Sequence, residues 1–435
     1  LTTLGACGDT VRNIIGCPLA GIDAEALFDA TPVLEAANRH FTGNREFSDL
    51  PRKYKVSIAA CRHQCTHPEI NDVALVGVSH GGVRGFDLWV GGGLSTAPRF
   101  ATRLGVFVPE AEAVEVLHHV TAVFRDHGYR TNRLKARLKF LIADWGAARF
   151  REAVEASLGR RLADGPPAPD AADPLRDHVG VTRQRTPGLY AVGAATLRGR
   201  LDAAQARRVA QLARRFGSGR LRTTVLQNLV VLDVPFSNVD PLADRLEADG
   251  LSVGRRSYRA QTMACTGLEF CKLAVADTKD LARDLVLHLE QRLPALEEPI
   301  SLNVTGCPNS CSRYQLADIG LLGSRVKVGG EARQAYQVYL GGRGGGRRRF
   351  GRHLKRRVLA EDVNAYVERV VRRFLESRAP GERFTDWIER LDASALEALG
   401  ATENDPTHEV LTPGGADAPA DGPIPLAAAA AGAGD

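Results

Sequence analysis

The chain repeats itself, and this constrains its fold more than any other feature. Ser57–Gly77 lines up without a gap on Asn303–Gly323, which pairs Cys61 with Cys307, Cys65 with Cys311, Asp72 with Asp318 and Gly77 with Gly323. After a short indel, Leu88–Gly92 answers Val338–Gly342, and Arg99-Phe100 answers Arg349-Phe350. Further on, Phe124 pairs with Phe374 and Asp144-Trp145 with Asp386-Trp387. Two copies of one α/β unit, about 250 residues apart, imply a pseudo-twofold molecule with a ligand at the junction. Within the first copy, Val73–Val78 and Phe86–Val90 have the apolar content of buried strands. Val114, Leu117, Val120 and Phe124 fall at helical spacing.

Between the copies, Asp164–Asp173 is rich in Pro and Asp and reads as an exposed linker. A β-α-β pattern follows: a strand over Gly188–Gly193, an amphipathic helix over Asp202–Phe216 closed by Gly217, and a strand over Leu221–Val234. From about Ala401 the chain is Ala/Gly/Pro/Asp-rich and without periodicity, which predicts disorder. The 435 residues are 44% hydrophobic and 25% charged, ordinary for a globular chain of two to three domains. No apolar run of spanning length and no leader stands out. A net charge of +6 is too mild to indicate nucleic acid. Met263 is the single methionine and the chain starts at Leu1 in what reads as mid-strand, so a missing N-terminal piece is expected.

Four of the eight cysteines carry the chemistry. Cys265-x5-Cys271 and Cys307-x3-Cys311 are separated by 35 residues and contain no C-x2-C step, unlike zinc ribbons or fingers. Longer spacings on two loops suit an iron–sulfur cluster, whose body is larger than one ion. Gly267, Gly306 and Pro308 let the backbone turn tightly around such a core. Cysteines that merely pack are the bland alternative. Cysteine usage of this kind points to a reducing cytoplasm rather than a disulfide scaffold.

Met263–Ala274 and Asn303–Cys311, together with Gly8–Asn13 and Leu50–Lys55, resemble the signature segments of the assimilatory sulfite and nitrite reductases. The resemblance runs from the first residue to about residue 400. It implies an α+β fold: a pseudo-twofold repeat of two α/β sulfite/nitrite reductase domains joined by a ferredoxin-like half-domain. The corresponding boundaries are 1–163 for the first repeat, 164–178 for the linker, 179–250 for the half-domain, 251–400 for the second repeat and 401–435 for a disordered tail. It also implies a [4Fe–4S] cluster on Cys265, Cys271, Cys307 and Cys311, with Cys311 bridging to a sirohaem. Arg12, Lys53 and Lys55 would act on the substrate, while Arg52, Arg222, Gln227, Asn228 and Asn309 would contact the haem. Family members carry an additional N-terminal segment with one haem-contacting arginine. Sirohaem bears eight carboxylates and the substrates are oxyanions, so several fixed cations are required. Lys53-x-Lys55 on extended backbone puts both ammonium groups on one face.

The implied activity is six-electron reduction of sulfite to sulfide, with electrons from reduced ferredoxin or a similar protein donor, since no flavin or NADPH module appears. Nitrite to ammonia is the alternative: Lys55 favours sulfite, whereas Val11–Asn13 and Gly16–Ile22 look more like the nitrite branch. A cluster-binding redox sensor without turnover is a third reading. The first copy shows no counterpart of Cys265 and Cys271, its equivalent region being Gly8–Arg12, so Cys7, Cys17, Cys61 and Cys65 are read as packing residues. His63 and His67 lie too close to Cys61 and Cys65 for a two-cysteine, two-histidine zinc pattern. Gly91–Ser95 reads as a haem-carboxylate loop or a structural turn. The basic run Arg347–Arg357 reads as a solvated helix face or a donor-docking patch.

Overall fold

The computed structural model describes residues 3–171, 177–254, 258–294, 299–401 and 409–411. The first repeat forms a five-stranded sheet in the order β1 (Ile15–Gly16), β2 (Val56–Ala59), β3 (Val73–His80), β4 (Val83–Val90) and β5 (Thr102–Pro109). The first three strands run parallel and the last two antiparallel. Helices α1 (Thr31–Phe41), α2 (Ala113–His127) and α3 (Leu138–Leu158) cover it. The expected α2 stripe is the core face: Leu117, Val120 and Phe124 are fully buried, and Val114 packs at its margin.

The middle unit is a four-stranded antiparallel sheet in the order β6 (Gly180–Arg183), β7 (Leu189–Ala194), β9 (Leu229–Pro235) and β8 (Leu221–Thr223), with helices α4 (Ala203–Phe216) and α5 (Val239–Ala248). Helix α4 starts where the sequence indicates, because Asp202 and Gln205 form a reciprocal capping box worth about 0.5–2 kcal/mol. The single strand expected over Leu221–Val234 is instead the pair β8–β9. The chain reverses between them through Gln227 at φ +69°.

The second repeat reproduces the first. Helix α6 (Tyr258–Gln261) leads into β10 (Thr262–Ala264), helix α7 (Lys279–Arg292), and strands β11 (Leu302–Thr305), β12 (Ile319–Val328), β13 (Glu331–Leu340) and β14 (Arg352–Leu359). These strands have the same order and directions as β1–β5. Register shifts recur at Asp87/Trp89 and Gln337/Tyr339. Helices α8 (Val363–Ser377), α9 (Phe384–Arg390) and α10 (Ala393–Ala398) close this half, and β15 (Glu409–Leu411) pairs with β12. The rest of the tail, where disorder is expected, lies outside the described residues.

Glycine placement explains the duplicated turn. A Cβ on Gly92 would stand 2.6–2.7 Å from the Asn71 and Glu69 carbonyl oxygens, and one on Gly342 would stand 2.5 Å from that of Gln315. Gly91 and Gly341 have positive φ and sit against Ile142 and Ile388. Gly91–Ser95 is therefore a packed structural turn. Those contacts also correct one pairing. Arg137 and Arg383 are the N-caps of α3 and α9, and Ile142 answers Ile388, so Trp145 and Trp387 stand one helical turn out of equivalence.

The repeats meet on the pseudo-twofold axis, where Phe100 and Phe350 stack with centroids 4.1 Å apart and planes 4° apart. Arg348 lies over Trp89 and Phe100, and Gln315 donates to the Ser95 carbonyl at 2.8 Å. The linker residues 164–171 are half-buried to exposed and pinned, since Gln64 donates to the Pro169 carbonyl and the Ala168 amide to Asp87. The basic run is not a helix, and its exposed positions, Arg347, His353 and Lys355, alternate with half-buried or buried ones. It is a turn and β14, whose Arg347, Arg349 and Arg352 bind Asp386, Glu389 and the Ile388 and Leu391 carbonyls.

Candidate functional site

Lys53 and Lys55 stand just ahead of β2. Tyr54 between them turns into the core, where it stacks on Phe124. This alternation carries both ammonium groups to the opposite face. Val11 bridges Tyr54 in parallel fashion, and the Arg12 amide donates to the Tyr54 carbonyl at 2.8 Å, so Arg12 runs beside the lysines. The Arg12 side chain is steadied by the Gly8 and Ala6 carbonyls, each at 2.9 Å. Arg52 pairs with Asp9 at 3.4 Å, which Arg133 also holds at 2.8 Å.

Two cations escaped the sequence reading. Arg137 makes a two-pronged bond to the buried Asp72 carboxylate, at 2.6 and 3.2 Å, while Asp72 also accepts from the Lys55 amide at 2.9 Å. Lys139 is buried and donates to the Leu94 and Ala97 carbonyls. Arg137-x-Lys139 has the same spacing as Lys53-x-Lys55, a signal hidden in a segment that resembles a basic helix start. Burial, then the Arg137 charge, lowers the pKa of Lys55 to about 8 and that of Lys139 to about 7. Lys55 keeps an exposed surface, yet the protein packed around its ammonium weakens its hydration.

The four cysteines come from two loops of the second repeat. Cys265 follows β10 and accepts from the Gly306 amide at 3.3 Å, while the Asn309 amide donates to Cys307. Gly267 has φ +69°, and a Cβ there would meet Thr278 Oγ1. All four thiols act electrostatically on one another through Cys307 and Cys311. Around one zinc ion, thiolates would stand about 3.8 Å apart. Among the described residues, Cys17, Cys65 and His178 are the only three such ligand atoms lying within 4.8 Å of one another, so the four cysteines are too widely spread for a single ion. A wider, four-thiolate inorganic body fits them.

The two constellations face each other. Burial raises the Cys311 thiol, and Lys53 and Lys55 from the other repeat pull against that rise. Cys311 in turn supports the charge on Lys53, which burial and Arg137 weaken. Each repeat thus brings one half of the site, cations from the first and thiols from the second. The profile of the nitrite and sulphite reductase 4Fe-4S domain matches residues 7–162 and 257–401, and that of the nitrite/sulfite reductase ferredoxin-like half domain matches 182–249. The chain belongs to this family.

A sulfite reductase [ferredoxin] of Mycobacterium tuberculosis is 46% identical over 404 residues, covering 91% of this chain and 72% of the relative. A ferredoxin–nitrite reductase of Synechococcus elongatus is 37% identical over 377 residues, covering 83% and 72%. The solved structure of the Mycobacterium tuberculosis NirA protein superposes with a TM-score of 0.85 at 46% identity, covering 90% of this chain and 72% of that one. The fold class read from the sequence is therefore that of the family. Family membership brings a [4Fe–4S] cluster and a sirohaem. The cleft suits a polycarboxylate macrocycle: Arg12, Lys53, Lys55, Arg137, Lys139 and Arg313 converge there, and the buried Asp72, paired with Arg137, offsets only part of their charge.

Other expected haem contacts have protein partners. Arg222 donates to the Pro18 and Ala20 carbonyls. Gln227 links the Ala264 carbonyl to the Lys279 ammonium, and Asn228 binds the Thr196 amide and Asp177. No helix among the described residues is long and apolar enough to cross a membrane.

Proposed function

We propose that this chain reduces sulfite to sulfide in the cytoplasm, with electrons from ferredoxin or a similar protein donor. The observation that carries the reading is the cationic cleft of the first repeat facing Cys311 of the second. Relatives named as ferredoxin sulfite reductases, at 46% identity, favour sulfite over nitrite, whose named reductases stand at 34–37%. Cys265, Cys271, Cys307 and Cys311 would hold the cluster, and Cys311 would be shared with the sirohaem. When bound, these groups supply the redox chemistry. Arg12 and Lys53 grip substrate oxygens, with Arg52 and Asp9 bracing the segment. Lys55, with its pKa near 8, holds a proton at neutral pH and releases it more readily than an ordinary lysine, as a general acid must. Asn309 tunes Cys307 through its amide. Arg222, Gln227 and Asn228 position the cleft's rim through the bonds described above.

The loop around Cys271 offers a docking surface for the donor. Phe270 and Leu273 are 74% and 63% exposed and flank Cys271 and Lys272. We favour it over Arg347–Arg357, where Arg347 and Arg349 already pair with Asp386 and Glu389. The test is kcat/KM for sulfite and nitrite under one reduced donor. A clear sulfite preference is expected. A nitrite preference would transfer the assignment, and no turnover by fully loaded protein would leave a redox sensor as the better reading.

A further inference from the structure

The first repeat contains a second convergence of metal-ligating side chains, and strand register shows how it arose. Ser57 and Ile58 are the repeat partners of Asn303 and Val304. Strand β1 pairs Ile15 with Ser57 and Gly16 with Ile58, while β10 pairs Met263 with Asn303 and Ala264 with Val304. The next residues are Cys17 and Cys265, which are therefore structural counterparts. The counterpart of the Cys265 segment is therefore the stretch after β1 and not Gly8–Arg12.

The C-x3-C loops also match in backbone conformation. Gln64 and Ser310 have φ +47° and +56°, and His67 and Arg313 have +51° and +59°. The turn bonds repeat as well: the Gln64 amide donates to the Cys61 carbonyl, as that of Ser310 does to Cys307. Non-glycine residues adopt this region infrequently, so four at equivalent positions mark one thiol-presenting loop used twice. Three of the four cysteines of the second repeat thus have counterparts in Cys17, Cys61 and Cys65. In place of a fourth, His178 enters from the segment ahead of β6.

The spacing differs from that of the second repeat in the direction that matters. Cys61 and Cys65 sulfurs are 3.7 Å apart, and Cys17 Sγ is 3.5 Å from His178 Nε2. The Cys17 and Cys65 sulfurs lie within 4.8 Å of each other. Bond lengths of about 2.3 Å to sulfur and about 2.0 Å to nitrogen put tetrahedral ligands about 3.8 Å apart for S···S and about 3.6 Å for S···N. Cys17, Cys65 and His178, whose ligand atoms lie within 4.8 Å of one another, thus have the size of one coordination sphere, far too small for a four-iron cluster, and Cys61 stands beside Cys65 as the fourth donor. Burial completes the picture: Cys17, Cys61, Cys65 and His178 are 6%, 5%, 0% and 4% exposed. Leu19, Ile22, Ala191 and Leu232 pack around the sulfurs. Cysteines do pack in cores without metal, but two thiols and an imidazole drawn together in apolar surroundings, with a third thiol 3.7 Å from one of them, form a soft donor set.

We propose that Cys17, Cys61, Cys65 and His178 bind one structural zinc ion that staples the half-domain to the first repeat. The ion would join the loops after β1 and β2 to the segment leading into β6. Arg222 of β8 already clasps the same loop through Pro18 and Ala20. A closed four-ligand site has no open position for substrate, so its role is structural.

The test is metal analysis of the holoprotein, purified without chelators, together with zinc-edge X-ray absorption. About one zinc per chain is expected beyond the iron, with a shell of three sulfurs and one nitrogen. Cys17→Ser/Cys65→Ser should lower zinc about tenfold while cluster and haem iron stay. His178→Cys should retain zinc through four thiolates, where His178→Ala loses it. Wild-type absorption decides the matter even if these variants fail to fold. Zinc far below one per chain in wild-type protein, with the thiols merely packed, would overturn the proposal. So would a disulfide among the three cysteines, read as a mass difference after alkylation.

Discussion

Replacing Asp72 with Asn tests the electrostatics of the cleft at a buried anion. Asp72 is fully buried, takes two bonds from Arg137, which is 8% exposed, and accepts the Lys55 amide. The amide of Asn removes the counter-charge and turns one acceptor into a donor facing donors. Leaving a buried partner uncompensated costs about 3–5 kcal/mol. In a unit the size of the first repeat this lowers Tm by about 6–20 °C, readable by scanning fluorimetry or calorimetry. Asp72→Asn/Arg137→Met should recover most of that loss, because the orphaned charge goes too. The same pair has opposite effects on Lys55. Asp72 raises its pKa and Arg137 lowers it. The alkaline limb of kcat/KM should therefore move to lower pH in Asp72→Asn and to higher pH in Arg137→Met. Limbs that move together, or an Asp72→Asn protein as stable as the parent, would refute the reasoning.

Other outcomes follow from the same geometry. If Lys55 is the proton donor, kcat/KM holds while it is protonated and falls as pH rises through about 8; Lys55→Met should lose about 10²–10⁴-fold and abolish that limb, with cofactor spectra unchanged. A double-mutant cycle on Phe100→Leu and Phe350→Leu should give a coupling of about 0.5–1.5 kcal/mol in unfolding, and a coupling near zero would mean the stack does not hold the repeats together. Phe270→Asp should raise the KM for a protein donor severalfold but leave turnover with a small-molecule reductant intact; equal losses with both would remove the docking role.

Local patterns carried a large part of this protein. The Cys265–Cys271 and Cys307–Cys311 pairs sit on short loops, so spacing alone reports which thiols can face a common centre. Lys53-x-Lys55 is legible for the same reason, because alternation on extended backbone fixes their shared face. The internal repeat likewise foretold two matching sheets and a junction, since identical patterning dictates identical burial. The reading failed where a residue's role depends on partners far along the chain. Arg347–Arg357 reads as a helix face, but it is a turn and β14, and α9 supplies Asp386 and Glu389 to Arg347 and Arg349.

The sequence by itself determined the repeat, the spacing of four cysteines on two loops and the alternation that puts Lys53 and Lys55 on one face, because each is written within a few residues of chain. Only the tertiary structure decided which charges meet and which cysteines are equivalent. Asp72 and Arg137 are 65 residues apart, and Cys17 and His178 are 161 apart. Such contacts arise from strand register and from the packing of one unit on another. A strand of two residues, Ile15–Gly16, set beside β2, makes Cys17 the counterpart of Cys265. No periodicity in the sequence records that pairing, because it is a property of the sheet rather than of the segment.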